Sequence, residues 1–206
     1  MSAKDTVWQC LEKAVDRFNR SADVQSLLCP RNDAAKENSW EWAAASERAI
    51  THRLAFYIEC GLRSLRLVGD SSQIVVDCEY NRHGGKLKTL AVEQELQSIV
   101  EKARNKKWDE PDEEGFCVFS VAPDIVVHQR RTDINNLLIV EIKKRSNLEP
   151  QEYDDLKLKL FTENKHDEGY GYKYGAWVVA EDKCSPKHRE LRIVKKYKDG
   201  VIAPTI

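Results

Sequence analysis

The stretch SVAPDIVVHQRRTDINNLLIVEIKKR, residues 120–145, carries the strongest structural signal in this 206-residue chain. It contains two apolar runs, 125–127 and 137–140, each of which is typical of a buried β-strand. A carboxylate stands at one end of each run, with Asp124 before the first and Glu141 after the second. Burying an unpaired carboxylate is costly, so such groups pair with a cation, bind a metal ion or belong to a functional site.

The two runs are predicted to form a β-hairpin. The segment between them, RRTDINN, is rich in turn-forming residues. A turn centred near Thr132–Asp133 would bring Asp124 opposite Glu141. Because side chains alternate along a strand, Lys143 is expected on the same face as Glu141. We therefore predict that two carboxylates and one ammonium group meet at one end of the hairpin.

The composition favours one folded domain that remains in the cytoplasm. The chain is 41% hydrophobic and 33% charged, which is typical of a globular protein and not of a disordered one. Its formal net charge of −1 neither favours nor excludes a nucleic-acid partner. The six cysteines include no C-x-x-C pair, which favours reduced thiols over a zinc site or a disulfide framework. The sequence also lacks a signal-peptide pattern and an apolar run of membrane-spanning length, and no membrane partner is expected.

Outside the hairpin, the apolar pattern predicts an α/β fold of the α+β sandwich type, a mixed sheet flanked by helices. Residues 1–38 are interpreted as an N-terminal helical extension and linker, and residues 39–206 as the main part of a single compact domain. The elements expected in the main part are a helix at about 40–63, strands at 73–83 and 86–90, a helix at 91–105, the hairpin, a helix from Pro150, and strands at 172–180 and 188–198.

The long helix at about 40–63 contributes a third acid to the predicted cluster. Its apolar stripe consists of residues at helical spacing, namely Ile50, Leu54, Ile58, Leu62 and Leu65. Glu47 falls in the middle of this stripe, whereas Glu59 lies off it. Glu47 is therefore expected to approach the charged end of the hairpin, and Glu59 is expected to face solvent or another partner.

Neighbouring carboxylates at this position are expected to bind a cation. Two neighbouring carboxylates repel each other unless a cation neutralises them, and hard oxygen ligands suit Mg²⁺ or Mn²⁺. The ammonium group of Lys143 is a poor metal ligand. It is suited to hold a water molecule or to neutralise charge on a phosphate oxygen.

Pro123-Asp124 followed by Glu141-Ile142-Lys143, between a helix with an inward acid and a later helix and strand, resembles the PD-(D/E)XK nuclease superfamily. The resemblance covers about residues 46–180 and implies a restriction-endonuclease-like fold. Members of this superfamily are mostly metal-dependent phosphodiesterases that act on DNA or, less often, on RNA. The resemblance therefore implies a Mg²⁺-dependent or Mn²⁺-dependent endonuclease, with DNA favoured over RNA as its partner.

The resemblance also implies roles for individual residues. Asp124 and Glu141 would bind the metal ion, joined by the backbone carbonyl of Ile142 and by Glu47. Lys143 would position the attacking water. The segment 84–119 exceeds the minimal core of the superfamily and is interpreted as a specificity element. The sequence leaves open whether the chain forms a homodimer.

Other charged residues allow more than one interpretation. Five are candidates for contacts to nucleic-acid phosphates, namely Lys144, Lys157, Lys187, Arg189 and Lys195. Lys157 lies on the inward stripe of its helix and could instead extend its ammonium group to solvent. Asp77 and Glu79 could be further ligands or an exposed acidic face, and His128 is interpreted as a partly buried polar residue. The alternative function is a non-catalytic module that binds nucleic acid or protein. The simpler interpretation of the motif is that Glu141 and Lys143 form a solvent-facing pair on an edge strand.

Overall fold

The computed structural model describes residues 3–28, 45–69, 72–83, 86–104, 112–147, 151–163, 170–182 and 189–204. Its α-helices are α1 (Ala3–Arg20), α2 (Glu47–Ser64), α3 (Gln97–Arg104) and α4 (Gln151–Thr162). Its strands are β1 (Ile74–Cys78), β2 (Arg82–His83), β3 (Lys86–Leu87), β4 (Thr89–Glu93), β5 (Phe116–Ser120), β6 (Ile125–Gln129), β7 (Leu138–Lys144), β8 (Tyr174–Ala180), β9 (Leu191–Lys198) and β10 (Val201–Ala203). The linker predicted at the end of the 1–38 extension lies outside the described residues.

Six of the strands form one mixed sheet in the order β1-β6-β7-β8-β9-β10. Neighbouring strands are antiparallel except for β7 and β8, which run parallel and are connected through α4. A parallel pair needs such a crossover, because the chain must return to the same end of the sheet. The described part of the chain is therefore an α+β protein with a mixed sheet flanked by helices, as the sequence predicts at this coarse level.

The sheet separates two hydrophobic cores. Helices α1 and α2 cover one face, where Ile50 and Leu54 pack with Ile125 and Ile142. On the other face, the core includes residues of β6, β7, α4 and the β4–β5 pair, among them Val126, Ile139, Phe119 and Leu158. Helix α4 lies close to β8 at Gly175, where a Cβ atom would stand 3.1 Å from Thr162 Cγ2. This contact is at the last turn of α4, and the first turn lies beside the end of β7, where Asp154 approaches Lys143.

Helix α1 belongs to the main fold. Leu11 and Phe18 are fully buried in the same core as α2. Asn19 also ties the helix to the sheet, because its side chain accepts a hydrogen bond from the backbone nitrogen of Leu191 at 2.7 Å and donates one to the carbonyl of Leu191 at 2.9 Å. The predicted N-terminal helix thus packs as one layer of the sandwich.

The structure corrects two element boundaries. Helix α2 begins at Glu47 and not near residue 40, because the hydroxyl of Ser46 caps it by accepting a hydrogen bond from the nitrogen of Ala49 at 3.3 Å. Because α2 ends at Ser64, Leu65 leaves the apolar stripe and is exposed.

The predicted helix at 91–105 also begins too early. Residues 89–93 form strand β4, in which exposed and buried side chains alternate, and β4 pairs with β5. The alternation has a period of two, which is the period of a strand. The short edge strand β10 was not predicted at all.

A buried lysine lies within the second core, directly before β4. Lys88 is 2% exposed as a residue, and its ammonium group donates a hydrogen bond to the Tyr172 hydroxyl at 2.9 Å. It is surrounded by four aromatic rings, whose centroids lie 5.1–5.8 Å away, those of Tyr80, Phe161, Tyr170 and Tyr172. Burial lowers the pKa of Lys88 to about 8.

The lowered pKa of Lys88 predicts that the folded protein becomes more stable as the pH rises into the alkaline range. Between pH 8 and 10.5 the unfolded chain holds the Lys88 proton more tightly than the folded chain, so the free energy of unfolding rises as pH increases through this range. Across this range, the free energy of unfolding of the wild type should rise by at most about 3 kcal/mol more than that of Lys88→Met. Urea unfolding of both proteins at a series of pH values measures the difference. Parallel pH profiles would show that Lys88 titrates normally.

Candidate functional site

The hairpin of β6 and β7 has the predicted register. Ile125 pairs with Val140 and Val126 with Ile139, so the next position outward sets Asp124 opposite Glu141. Strand alternation puts both carboxylates on the face of the second core. Asp124 is anchored there, because its Oδ2 accepts a hydrogen bond from the backbone nitrogen of Ile142 at 2.6 Å. Burial raises the pKa of Asp124 to about 6, although this hydrogen bond and nearby lysines oppose the rise.

Glu141 is the most deeply buried acid of the hairpin, with 1% of its surface exposed. Its Oε2 lies 2.7 Å from the Lys157 Nζ of helix α4. Its Oε1 accepts no hydrogen bond from any residue that the structure describes. Burial raises the pKa of Glu141, and the carboxylates of Asp124 and Asp154 raise it further, while Lys157 opposes them.

Helix α4 adds Asp154 and Lys157 to the cluster. The Asp154 side chain is buried, and its Oδ1 lies 2.9 Å from Lys157 Nζ. Burial alone would lower the pKa of Lys157, but the charges of Glu141 and Asp154 hold it above its usual range. The structure therefore corrects the solvent-facing interpretation of Lys157, because its ammonium group contacts two buried carboxylates, while its predicted phosphate contact stays a prediction.

Asp154 was missed in the sequence because the neighbouring charges in YDDLKLKLF look like a solvated helix face. One signal could have found it. Asp154 precedes Leu158 by four residues and Phe161 by seven, which is the spacing of a single helical face. Both residues are fully buried, so the same stripe places Asp154 inside.

Lys143 lies at the open side of the cluster, with 24% of its side chain exposed. Its Nζ is 3.6 Å from Asp154 Oδ2 and 3.9 Å from Glu47 Oε2. Burial would lower the pKa of Lys143, but these two carboxylates raise it above its ordinary value. The group is therefore a charged donor that a ligand at the surface can reach.

Glu47 approaches the same strand end from the opposite helical layer. As the first residue of α2, it accepts hydrogen bonds at Oε1 from the backbone nitrogen of Lys144 at 3.1 Å and from Asn147 Nδ2 at 3.3 Å. Glu59 instead pairs with Arg63 on the helix surface. The helical phase predicted from the apolar stripe is thus confirmed for both acids. The contact from Asn147 was not foreseen.

The cluster is short of positive charge. It gathers four carboxylates, those of Asp124, Glu141, Asp154 and Glu47. Two ammonium groups, those of Lys143 and Lys157, face them. Fully ionised, the set carries a formal charge of minus two, which matches one divalent cation in magnitude.

The oxygen atoms of these side chains are of the kind that such a cation binds. Carboxylate oxygens are the ligands that Mg²⁺ and Mn²⁺ prefer, and the unsatisfied Oε1 of Glu141 is free to serve as one. The residues present therefore fit a divalent metal ion in type, burial and charge. As they stand, however, no three His, Cys, Asp or Glu side chains of the described ranges are grouped closely enough to hold one.

The other charged residues singled out from the sequence lie in ion pairs or outside the cluster. Lys144 Nζ is 3.5 Å from Asp182, and Lys195 Nζ is 2.5 Å from Asp155 on α4. Arg189 is half-buried, and Lys187 lies outside the described residues. Among the described residues, Lys144 and Lys195 are thus each paired with an acid, and the predicted phosphate contacts stay a prediction.

Asp77 and His128 form a separate polar pair. Asp77 Oδ2 lies 3.1 Å from His128 Nε2 and accepts a hydrogen bond from Arg130 Nε at 2.8 Å. Burial would raise the pKa of Asp77, but these partners hold it well below its usual range. Glu79 pairs with Arg48. These contacts assign Asp77 and Glu79 to local ion pairs.

No family model, curated protein or solved structure matches this chain. Among the described helices, none combines the length and apolar character needed to cross a bilayer.

Proposed function

We propose that this chain is a metal-dependent nuclease of the PD-(D/E)XK type, which hydrolyses phosphodiester bonds in nucleic acid, with DNA favoured over RNA. The observation that carries the proposal is the convergence of Asp124, Glu141 and Lys143 at one end of the β6–β7 hairpin. Buried acids with raised pKa values beside a partly exposed lysine are typical of a functional site.

The order of the core elements supports the restriction-endonuclease-like fold. Helix α2 precedes the antiparallel strands β1, β6 and β7, and helix α4 then leads to the parallel strand β8. This is the order in which the resemblance places an inward helix acid before the motif strands and a helix and strand after them. The β4–β5 pair and α3 fall within the segment 84–119, which would serve as the specificity element.

The proposed roles follow from the positions of the side chains. Asp124 and Glu141, with the backbone carbonyl of Ile142 and with Glu47, would hold Mg²⁺ or Mn²⁺. A bound divalent cation supplies Lewis-acid chemistry, polarising a phosphate oxygen and lowering the pKa of water. Lys143 holds the attacking water and offsets charge on the phosphate. The water oxygen would form a bond to phosphorus and give up one proton, the bond between phosphorus and the ester oxygen would break, and that leaving oxygen would take up one proton.

The test of this proposal is a cleavage assay on supercoiled DNA, linear duplex DNA, single-stranded DNA and RNA. We expect cleavage with Mg²⁺ or Mn²⁺ and none in EDTA, because the buried carboxylates need the cation to orient and polarise a phosphate. Lys159→Met, which changes an exposed lysine of α4, is the control and should cut like the wild type. Cleavage that persists in EDTA would refute the metal-dependent mechanism.

A non-catalytic binding module is the second candidate. It is favoured by one observation, the absence of three ligand side chains grouped for a metal among the described residues. A module of this kind would bind nucleic acid without cutting it in any divalent metal ion. That result in the same assay would replace the nuclease proposal.

A further inference from the structure

A cation already lies among the acids of the cluster. The Lys157 ammonium group is 2.7 Å from Glu141 Oε2 and 2.9 Å from Asp154 Oδ1. It thus bridges an acid of strand β7 and an acid of helix α4, and it is 7% exposed as a residue. Carboxylate oxygens around one buried position are also ligands of the type that a divalent metal ion binds.

We propose that Lys157 is an internal counter-cation that a divalent metal ion displaces, and that Asp154 then becomes a ligand of that ion beside Glu141. The inference deepens the proposed function and rests on it for the identity of the metal site. It explains why the carboxylates are not grouped for a metal as they stand. Mg²⁺ binds oxygen at about 2.0–2.1 Å, so the two acids close on the ion only after the ammonium group has left.

The lysine satisfies the cluster incompletely, which leaves room for the exchange. It contacts only one oxygen of Glu141 and leaves Oε1 buried without a hydrogen-bond partner among the described residues. Even with Lys143, the two positive charges are fewer than the four carboxylates. A divalent ion brings twice the charge and can bind oxygens from several carboxylates at once.

The displaced ammonium group has a second position within reach. Lys157 Nζ already lies 4.9 Å from the ring centroid of Tyr153, which is half-buried on the preceding turn of α4. A four-carbon side chain can rotate outward along this ring and retain a cation–π contact while its charge reaches water. Lysine can therefore leave the acids without unfolding the helix.

The first experiment measures Mn²⁺ binding without any substrate. Free Mn²⁺ is followed by its electron paramagnetic resonance signal in the wild type, Lys157→Met, Asp154→Asn and the double variant. Lys157→Met should bind Mn²⁺ at least about tenfold more tightly than the wild type, because the competing charge is gone. Adding Asp154→Asn should weaken binding by a similar factor in either background. Lys159→Met, which removes the same charge from the exposed side of α4, should bind like the wild type.

A second measurement uses the wild type alone, so it does not depend on a variant that folds. Lysine acylation is followed residue by residue by mass spectrometry, with and without Mn²⁺. Lys157 should resist acylation without the metal and become several-fold more reactive with it, because its ammonium group then turns to solvent. The exposed Lys159 should react equally in both conditions.

The outcomes separate this inference from the proposed function. If the wild type cuts nucleic acid but Lys157→Met binds Mn²⁺ no more tightly and Lys157 stays unreactive, the exchange is refuted and the nuclease stands. If Mn²⁺ binding tightens and Lys157 becomes reactive while no nucleic acid is cut, the exchange stands and the nuclease fails. Unchanged Mn²⁺ affinity on adding Asp154→Asn to Lys157→Met would remove Asp154 from the ligand set.

Discussion

Cleavage should fall by at least about a thousandfold when Glu141 is replaced by glutamine, because the amide cannot supply the anionic oxygen that a metal ion needs beside Asp124. Lys143→Met should lose a similar factor for a different reason, the loss of the charged donor at the mouth of the cluster. The two variants should differ in Mn²⁺ binding, which Glu141→Gln weakens and Lys143→Met largely retains. Initial rates on duplex DNA and Mn²⁺ titration provide both measurements.

Matched controls exist on the same elements. Glu59→Gln changes an acid of α2 that pairs with Arg63 away from the cluster, and Lys159→Met changes an exposed lysine of α4. Both should retain the wild-type rate within about twofold, as expected for surface substitutions. Circular dichroism and thermal unfolding exclude misfolding as the cause of a loss. A Glu141→Gln protein that folds and cuts normally would remove Glu141 from the mechanism.

The second large effect is on stability. Lys157→Met should lower the free energy of unfolding by about 3–5 kcal/mol in EDTA, because it leaves the buried carboxylate of Glu141 without its counter-ion and takes from Asp154 the nearer of its two lysines. Adding Glu141→Gln should recover part of this loss, since the uncompensated charge is then smaller. Urea unfolding of the wild type and of these variants measures the free energies. The control is Lys159→Met, whose free energy of unfolding should differ from that of the wild type by no more than about 0.5 kcal/mol.

The ion pair with Lys157 also bears on the removal of the acids themselves. Clustered acids repel each other, so removing Asp124 or Glu141 would be expected to leave folding intact or to improve it. The ion pair with Lys157 changes the balance for Glu141, because the removal of one partner leaves a buried charge unpaired. If Lys157→Met unfolds at the same urea concentration as the wild type, the pair has no net role in stability.

Local periodicity in the sequence was enough to predict much of the site. Strand alternation and a turn near Thr132–Asp133 set Asp124 opposite Glu141 and put Lys143 on the same face. Helical spacing likewise selected Glu47 over Glu59. These predictions hold because each depends on the geometry of a single hairpin or a single helix, which the chain carries in its own spacing.

Only the tertiary structure decided what surrounds these residues. Residues 89–93 form a strand because β5 pairs with them, and Asp154 and Lys157 join the cluster because α4 packs closely over β7 and β8. Helical periodicity shows which side of α4 faces inward, but it does not show which residue of the sheet that side will meet. The partner of a buried charge depends on how distant elements pack, and no spacing within one element encodes it.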